Sequence, residues 1–313
     1  MTVVTEYVSG LVRTKVLTGG QAGGFTWIRS PEAPRSDPLE APSGALRLAL
    51  EACTPSPSGR GPGARCALPG AHGAELRYEL PGRSSLAELL LSDGIAEASR
   101  DLAGAEDVLY DFGLLLRALH AASPTAAGKD GVRAQPAAWH TLRSWIGTPT
   151  ADGVGQQLHR LLRELLGTSC WHRVERWLRE LPASGPGVLV HGAPRLALLV
   201  PAEGPDVPHG LITGEDVAVA PWQWDVGWVL AELRELRFFA ARLHSPGVAW
   251  DRLEQAFVDG YGRPEDPLVR CCVVLRSLLH LHDFCAFVAW DAAEVRRYAT
   301  LITHFMAEEE GTP

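Results

Sequence analysis

The sequence predicts an α+β chain of two lobes: a small β-rich lobe over residues 1–84 and a larger, mainly helical lobe over residues 85–313. Three observations carry this. Short apolar stretches broken by Gly and Pro fill the first 84 residues. From Ser84 onward the apolar residues recur at helical spacing. One pair of short apolar runs, VLVHGAPRLALLV (Val188–Val200), interrupts the helices near their middle.

In chain order, Val8–Leu17 and Phe25–Arg29 are strand-like and flank Thr18-Gly-Gly-Gln-Ala-Gly-Gly24, a glycine-rich hairpin. Ser30–Ser43 is a Pro-rich loop. Ala45–Cys53 is too short a run to separate strand from helix. Thr54–Gly73, rich in Gly, Pro and Ser, reads as a mobile insertion, and Glu75–Leu80 alternates as a strand does. Ser85 can cap a helix over SLAELLLSDGI, and Ala105–Ala122 is amphipathic and closed by Ser123-Pro124. Helices follow at Gln156–Leu166 and Trp171–Leu181. After the paired apolar runs and a further apolar segment, Gly210–Pro221, come helices at Trp228–Leu243, Trp250–Tyr261, Pro267–Trp290 and Ala292–Met306.

Composition narrows the function classes. At 313 residues, with 46% hydrophobic and 21% charged side chains, the chain can bury a large core. A net charge of -8 argues against a broad nucleic-acid footprint. Of 29 cationic residues only Lys15 and Lys129 are lysines, so a reaction needing lysine has two candidates. The six cysteines form no CxxC pair and are expected to be reduced and mostly buried. The start, MTVVTEYVSGLVRTK, lacks a basic segment followed by an apolar one, and no apolar run reaches about 18 residues. A cytoplasmic location with no membrane association is the expectation.

VLVHGAPRLALLV has the outline of a hairpin carrying a catalytic loop. An apolar run rises into His191-Gly192, turns at Pro194-Arg195 and falls into a second apolar run. Yet the loop from Ala193 to Leu198 has no carboxylate, amide or hydroxyl side chain. Two further stretches stand out: Phe112-Gly-Leu-Leu-Leu-Arg-Ala-Leu-His120-Ala-Ala-Ser-Pro124, and Trp224-Asp225-Val-Gly-Trp-Val-Leu-Ala-Glu-Leu233.

Together these stretches, in this order and followed by Ala256–Tyr261 (AFVDGY) and long helices, resemble the aminoglycoside phosphotransferase family of kinase-like folds. The first long stretch is similar to that family's LA-x-LH-x-x-x-P helix. VLVHGAPRLALLV is similar to its strand–HGD–loop–N–strand segment, and Trp224–Leu233 to its D-L-A helix start. The likeness covers residues 85–306 well and residues 1–84 loosely. It implies a two-lobed protein-kinase-like fold, with a β-hairpin at the catalytic loop.

Phosphoryl transfer is positioning plus electrostatics. A cation and loop amides hold the phosphates, a carboxylate takes the hydroxyl proton, and Asn and Asp oxygens hold magnesium. Carried over by position, the family's catalytic Asp falls on Ala193, its magnesium-binding Asn on Leu198 and its second magnesium ligand on Thr213. Neither Ala nor Leu offers the oxygen a hard cation needs. His191, Gly192 and Asp225 keep the frame: His191 as a buried, hydrogen-bonded residue, Asp225 as the cap of a helix beginning at Val226. For phosphate, Gly19, Gly20, Gly23 and Gly24 could offer backbone amides, or form a plain tight turn. Arg47 is the nearest counterpart of the family's N-lobe lysine, because Lys15 precedes the hairpin, and Glu51 is the only candidate for its acidic partner.

The resemblance thus implies a degenerate, pseudokinase-like binding or scaffold protein, with no cofactor. Degenerate members of this kind are similar to kinase-like components that work beside lyases on ribosomal peptides, lanthipeptides and thioamitides among them, in actinobacteria. A lyase-type enzyme or a precursor peptide is then the expected partner. Arg195, Glu215, Asp216, Trp222 and Trp224 are the candidates for lining the cleft. Trp222 and Trp224 alternate as aromatic anchors do, while Glu215 and Asp216 read equally as a solvated turn. An active but atypical phosphotransferase remains an alternative. It would act on a peptide Ser/Thr or a small-molecule hydroxyl, with ATP and magnesium held by Asp216 or Asp206 and by Arg47. A small-molecule binding or resistance protein without chemistry is a third reading. His280 and His282, two apart on one helix, point to different faces and make no metal site by themselves.

Overall fold

The structure is a computed structural model that describes residues 2–9, 11–19, 24–32, 39–42, 44–53, 55, 60–91, 101–122, 124, 132–147, 153–183, 185–243, 248–262 and 266–310. Gly20, Gly23 and Lys129 lie outside the described residues.

A five-stranded antiparallel sheet opens the chain, in the order β1-β2-β3-β6-β5. Its strands are β1 (Val3–Ser9), β2 (Val12–Thr18), β3 (Phe25–Pro31), β5 (Gly70–His72) and β6 (Glu75–Leu80). The run Val8–Leu17 is therefore not one strand but spans the β1–β2 turn, and the glycine-rich hairpin joins β2 to β3. Period-two alternation aims one face inward: Val16, Trp27 and Tyr78 lie side by side across three strands and are fully buried. The neighbouring row on that face is Thr14, Arg29 and Leu76, also buried.

The ambiguous run at Ala45 is the helix α1 (Gly44–Glu51), which buries Leu46 and Leu50 one turn apart. Within the Gly/Pro-rich segment after it, residues 64–67 and 70–72 are strand and not a mobile insertion. Residues Ala64–Ala67 form β4, which leaves the N-terminal sheet and pairs in parallel with β9 (His209–Ile212). The N–H of Gly63 donates to Asp111 at 3.0 Å, securing the strand's start.

The helical part comprises α2 (Leu86–Leu91), α3 (Asp101–Ala121), α4 (Ala137–Gly147), α5 (Val154–Glu180), α6 (Gln223–Phe239), α7 (Trp250–Tyr261), α8 (Pro267–Phe287) and α9 (Ala292–Glu310). The Ser85 hydroxyl accepts from the N–H of Glu88 at 3.2 Å, the cap its sequence predicts. The two helices expected over residues 156–181 are present, joined end to end within α5 at Gly167, whose φ of 79° breaks the helical backbone between them. Helices α3 and α7 cross closely: a Cβ on Gly113 or Gly260 would collide with the opposite backbone.

VLVHGAPRLALLV is not a hairpin. Its first run, β7 (Val188–Val190), pairs with β10 (Ala218–Ala220), and its second, β8 (Leu199–Val200), pairs with β9. Each run finds its partner in the segment His209–Ala220, so the intervening loop is clasped by two separate ladders. None of the six cysteines is in a disulfide. Among the described residues, no helix is long and apolar enough to cross a membrane.

Candidate functional site

The loop between β7 and β8 is held by two carboxylates: Glu232 accepts from the N–H of Leu196 at 2.8 Å, and Asp225 secures the start of the loop. Asp225, fully buried, accepts from the N–H of His191 at 2.6 Å and of Gly192 at 3.0 Å. It also faces His120 Nε2 at 3.1 Å, and His120 Nδ1 in turn meets the Tyr261 hydroxyl at 2.8 Å. Asp225 is therefore not the expected cap of a helix at Val226. Helix α6 starts at Gln223, and its first turn aims this side chain at another segment's amides. Gly192 has φ 94°, and a Cβ there would collide with the Asp216 carbonyl, so only glycine fits. His191 Nε2 lies 2.8 Å from the Ile212 carbonyl, the buried hydrogen bond expected of it.

On this frame Ala193 is buried, and Leu198 is buried in a short 3-10 turn. Thr213 is the one oxygen-bearing side chain of the three carried-over positions, and its hydroxyl donates to the Leu211 carbonyl at 2.8 Å. A magnesium ion needs several oxygens, and the three side chains do not fit one. Among the described residues no three His, Cys, Asp or Glu are grouped to share a metal ion. Asp206 is exposed in the turn before β9. His280 approaches Glu235 at 2.7 Å and His282 its neighbour Asp283 at 3.0 Å.

Above the loop, the cation facing the C-terminal part is not Arg47. That residue sits on α1, bonded to Glu51 at 2.9 Å and to the Pro69 carbonyl at 2.9 Å. Glu51 is thereby engaged as well. The strand after the glycine-rich hairpin is β3, and its inward cation is Arg29. Arg29 makes a bidentate pair with Glu215, Nε to Oε1 at 2.5 Å and Nη2 to Oε2 at 3.0 Å. Tyr78 donates its hydroxyl to Glu215 Oε1 at 3.0 Å, and Arg29 Nη1 reaches Thr14 Oγ1 at 3.3 Å. Glu215 is thus no solvated turn residue. Burial alone would raise its pKa, but the Arg29 guanidinium and the Tyr78 hydroxyl hold it below the ordinary carboxylate value.

The other cleft candidates fall in different places. Asp216 is half-buried, 3.9 Å from Arg133, and Arg195 is exposed on the loop. Trp224 is not an exposed anchor. It is fully buried, donates to the Gly192 carbonyl at 2.7 Å and stacks on Trp139 at 5.4 Å. Trp222 is half-buried and stacks on Tyr261. Of the glycines, Gly19 and Gly24 lie at the ends of the β2–β3 connection, Gly19 with φ 96°. A cleft of about 850 Å³ opens beside Glu215, between α1 and the β9–β10 loop, with Glu40, Arg47, Arg133 and Val217 on its walls.

Trp27 is the residue that sequence reasoning passed over. It lies two positions before Arg29 on the same face of β3, is fully buried, and donates its indole N–H to the Gly82 carbonyl at 2.9 Å. Gly82 belongs to the connection between the lobes and packs so closely on Pro201 that a Cβ would collide with the Pro201 carbonyl. The next carbonyl back, Pro81, accepts from the N–H of Glu203 at 3.3 Å.

This arrangement, a small sheet over a helical lobe with a clasped loop between them, is the two-lobed kinase-like fold of aminoglycoside phosphotransferases and choline/ethanolamine kinase-like proteins. The GDP complex of aminoglycoside 2'-phosphotransferase-IIIa superposes with TM-score 0.53 at 13% identity, over 94% of this chain and 92% of that one. Amicoumacin kinase, in complex with AMP-PNP, Ca2+ and Ami, gives TM-score 0.54 at 14% identity, over 99% of this chain and 89% of that one. A choline/ethanolamine kinase family protein from Mesorhizobium loti gives 0.51 at 13% identity, over 100% and 89%. No protein-family model matches the sequence, and no curated protein sequence matches it.

Proposed function

We propose that this chain is a catalytically degenerate phosphotransferase-fold protein, a binding or scaffold component for a peptide substrate or a partner enzyme. One observation carries the reading: on an otherwise intact loop frame, the positions that should present oxygens to a proton and a cation hold buried Ala193, buried Leu198 and a Thr213 whose hydroxyl is already bonded. Transfer depends on those oxygens. No cofactor is needed for such a role. By analogy with degenerate members of this fold, and not from any motif, the setting is ribosomal-peptide biosynthesis in the cytoplasm, with a lyase-type enzyme or a precursor peptide as partner.

Isothermal titration with ATP and magnesium tests this reading. The expected result is no heat of binding at millimolar nucleotide; micromolar, magnesium-dependent binding would overturn it in favour of an active atypical transferase. That second reading rests on Asp216, whose backbone packs directly on Gly192 and whose half-buried carboxylate lies 3.9 Å from Arg133. A radiolabelled-phosphate transfer assay with Asp216→Asn separates the two, since only an active enzyme has a rate to lose.

A further inference from the structure

We propose that the space under β3 is occupied by the protein itself: the Trp27 indole on the lobe connection and the Glu215 carboxylate on Arg29 fill its two ends, so that Arg29 is an anion site holding an internal ligand. The inference goes beyond the functional reading, because it concerns what fills that space and not whether transfer occurs.

The geometry has the parts of a built binding site. Arg29 and Glu215 are 8% and 12% exposed by side chain, so both ions have left water. Their contact is a two-point guanidinium–carboxylate fork, the arrangement by which arginine also takes phosphate. Tyr78 and Thr14 complete the hydrogen bonding around the pair. In kinase folds the β3 cation faces the phosphates of the nucleotide and pairs with a glutamate of the N-lobe helix; here its two forked N–H groups go to Glu215 of the β9–β10 loop, while Glu51 of α1 pairs with Arg47. At the other end a flat aromatic ring presents one N–H donor to a backbone carbonyl of the connection. A planar ring and an anion held under one strand give the outline of a nucleotide in protein side chains. Because Trp27 and Arg29 alternate on β3, both ends are set by a single strand, and Glu215 closes the space from the opposite lobe.

Glu215 also lines the 850 Å³ cleft, so an external anion has a route to Arg29 once the carboxylate is gone. Inorganic phosphate and acetate are the probes. Glu215→Ala is expected to unfold at a lower temperature than wild type in sodium chloride. In 100 mM phosphate or acetate at matched ionic strength it should recover about 3 °C, with wild type unmoved. Equal stabilisation of both proteins, or of neither, overturns the proposal. Should Glu215→Ala not fold, exchange of the Trp27 indole proton in wild type, assigned by its loss in Trp27→Phe, gives the answer. Slow exchange is expected for an indole sealed against the connection; exchange as fast as that of an exposed tryptophan overturns it. Nucleotide binding by wild type would strike both the functional reading and the internal occupant, whereas failed anion rescue strikes only the internal occupant.

Discussion

Glu215 and Arg29, 186 residues apart in the chain, meet in a buried two-point ion pair that joins the first sheet to the loop after β9. Removing one member of such a pair strands a charge out of water, at about 3–5 kcal/mol, whereas replacing both with apolar residues of similar volume is close to neutral. Arg29→Met and Glu215→Leu are each expected to lower stability strongly, and the double variant to recover most of the loss. Urea unfolding of the four proteins in one double-mutant cycle checks this; additive losses would mean that the pair is not coupled.

Asp225 anchors the loop through two backbone N–H groups and faces His120. Asp225→Ala leaves at least two buried donors unsatisfied, each at about 1–3 kcal/mol. The expected outcome is a loss of several degrees in melting temperature and faster amide exchange at His191 and Gly192, read by hydrogen-exchange mass spectrometry. Asp225→Asn should lose less, since its carbonyl oxygen can still accept one of the two.

Acid should unfold the helical part through Glu235. Burial would raise this carboxyl, but Arg276 and His280, with the Tyr298 hydroxyl at 2.7 Å, bring it down to about 2. A carboxylate with a depressed folded value gives stability that is complete above its ordinary value of 4.5 and is lost as pH falls toward 2. Stability measured across that window should fall steeply in wild type. In Glu235→Gln the curve should be flatter, although the variant starts lower because Arg276 has lost its partner.

Two glycines of neighbouring elements should respond in opposite directions. Gly104 lies exposed in α3, and a Cβ there would meet no other atom within 4 Å, so Gly104→Ala is expected to stabilise by about 0.5–1 kcal/mol. Gly260→Ala pushes a methyl into the backbone of Tyr110 and should destabilise by well over that amount. Thermal unfolding of the two variants measures the difference.

The helical part was largely legible in the sequence because its signals are local. Trp250–Tyr261 is a helix with the bounds its period predicts, and Ser85 caps the helix it precedes. Helix α4 escaped, since Ala137–Gly147 follows a Gly/Pro/Ala-rich stretch that masks its start. What could not be read were choices of partner. β7 and β8 look like two arms of one hairpin, and only the competing strands β9 and β10 decide otherwise. The frame at His191, Gly192 and Asp225 was recognisable from motif spacing, but the atoms Asp225 holds were not. Arg29 was invisible as a site residue because its meaning depends on Glu215, and alternation along β3 was the one clue that it and Trp27 share a face.

The parallel pairing of β4 with β9 has a bearing on how this chain can be divided. Four residues from before the first long helix complete a three-stranded ribbon whose other strands come after residue 198. A fragment beginning at residue 85 would carry β9 with an open edge of unpaired amides and carbonyls in an apolar setting, the surface on which chains stick to one another. The helical lobe should therefore aggregate when expressed alone and become soluble when residues 1–84 are supplied in trans. The seam also closes late in synthesis, because its first strand leaves the ribosome well over a hundred residues before its second.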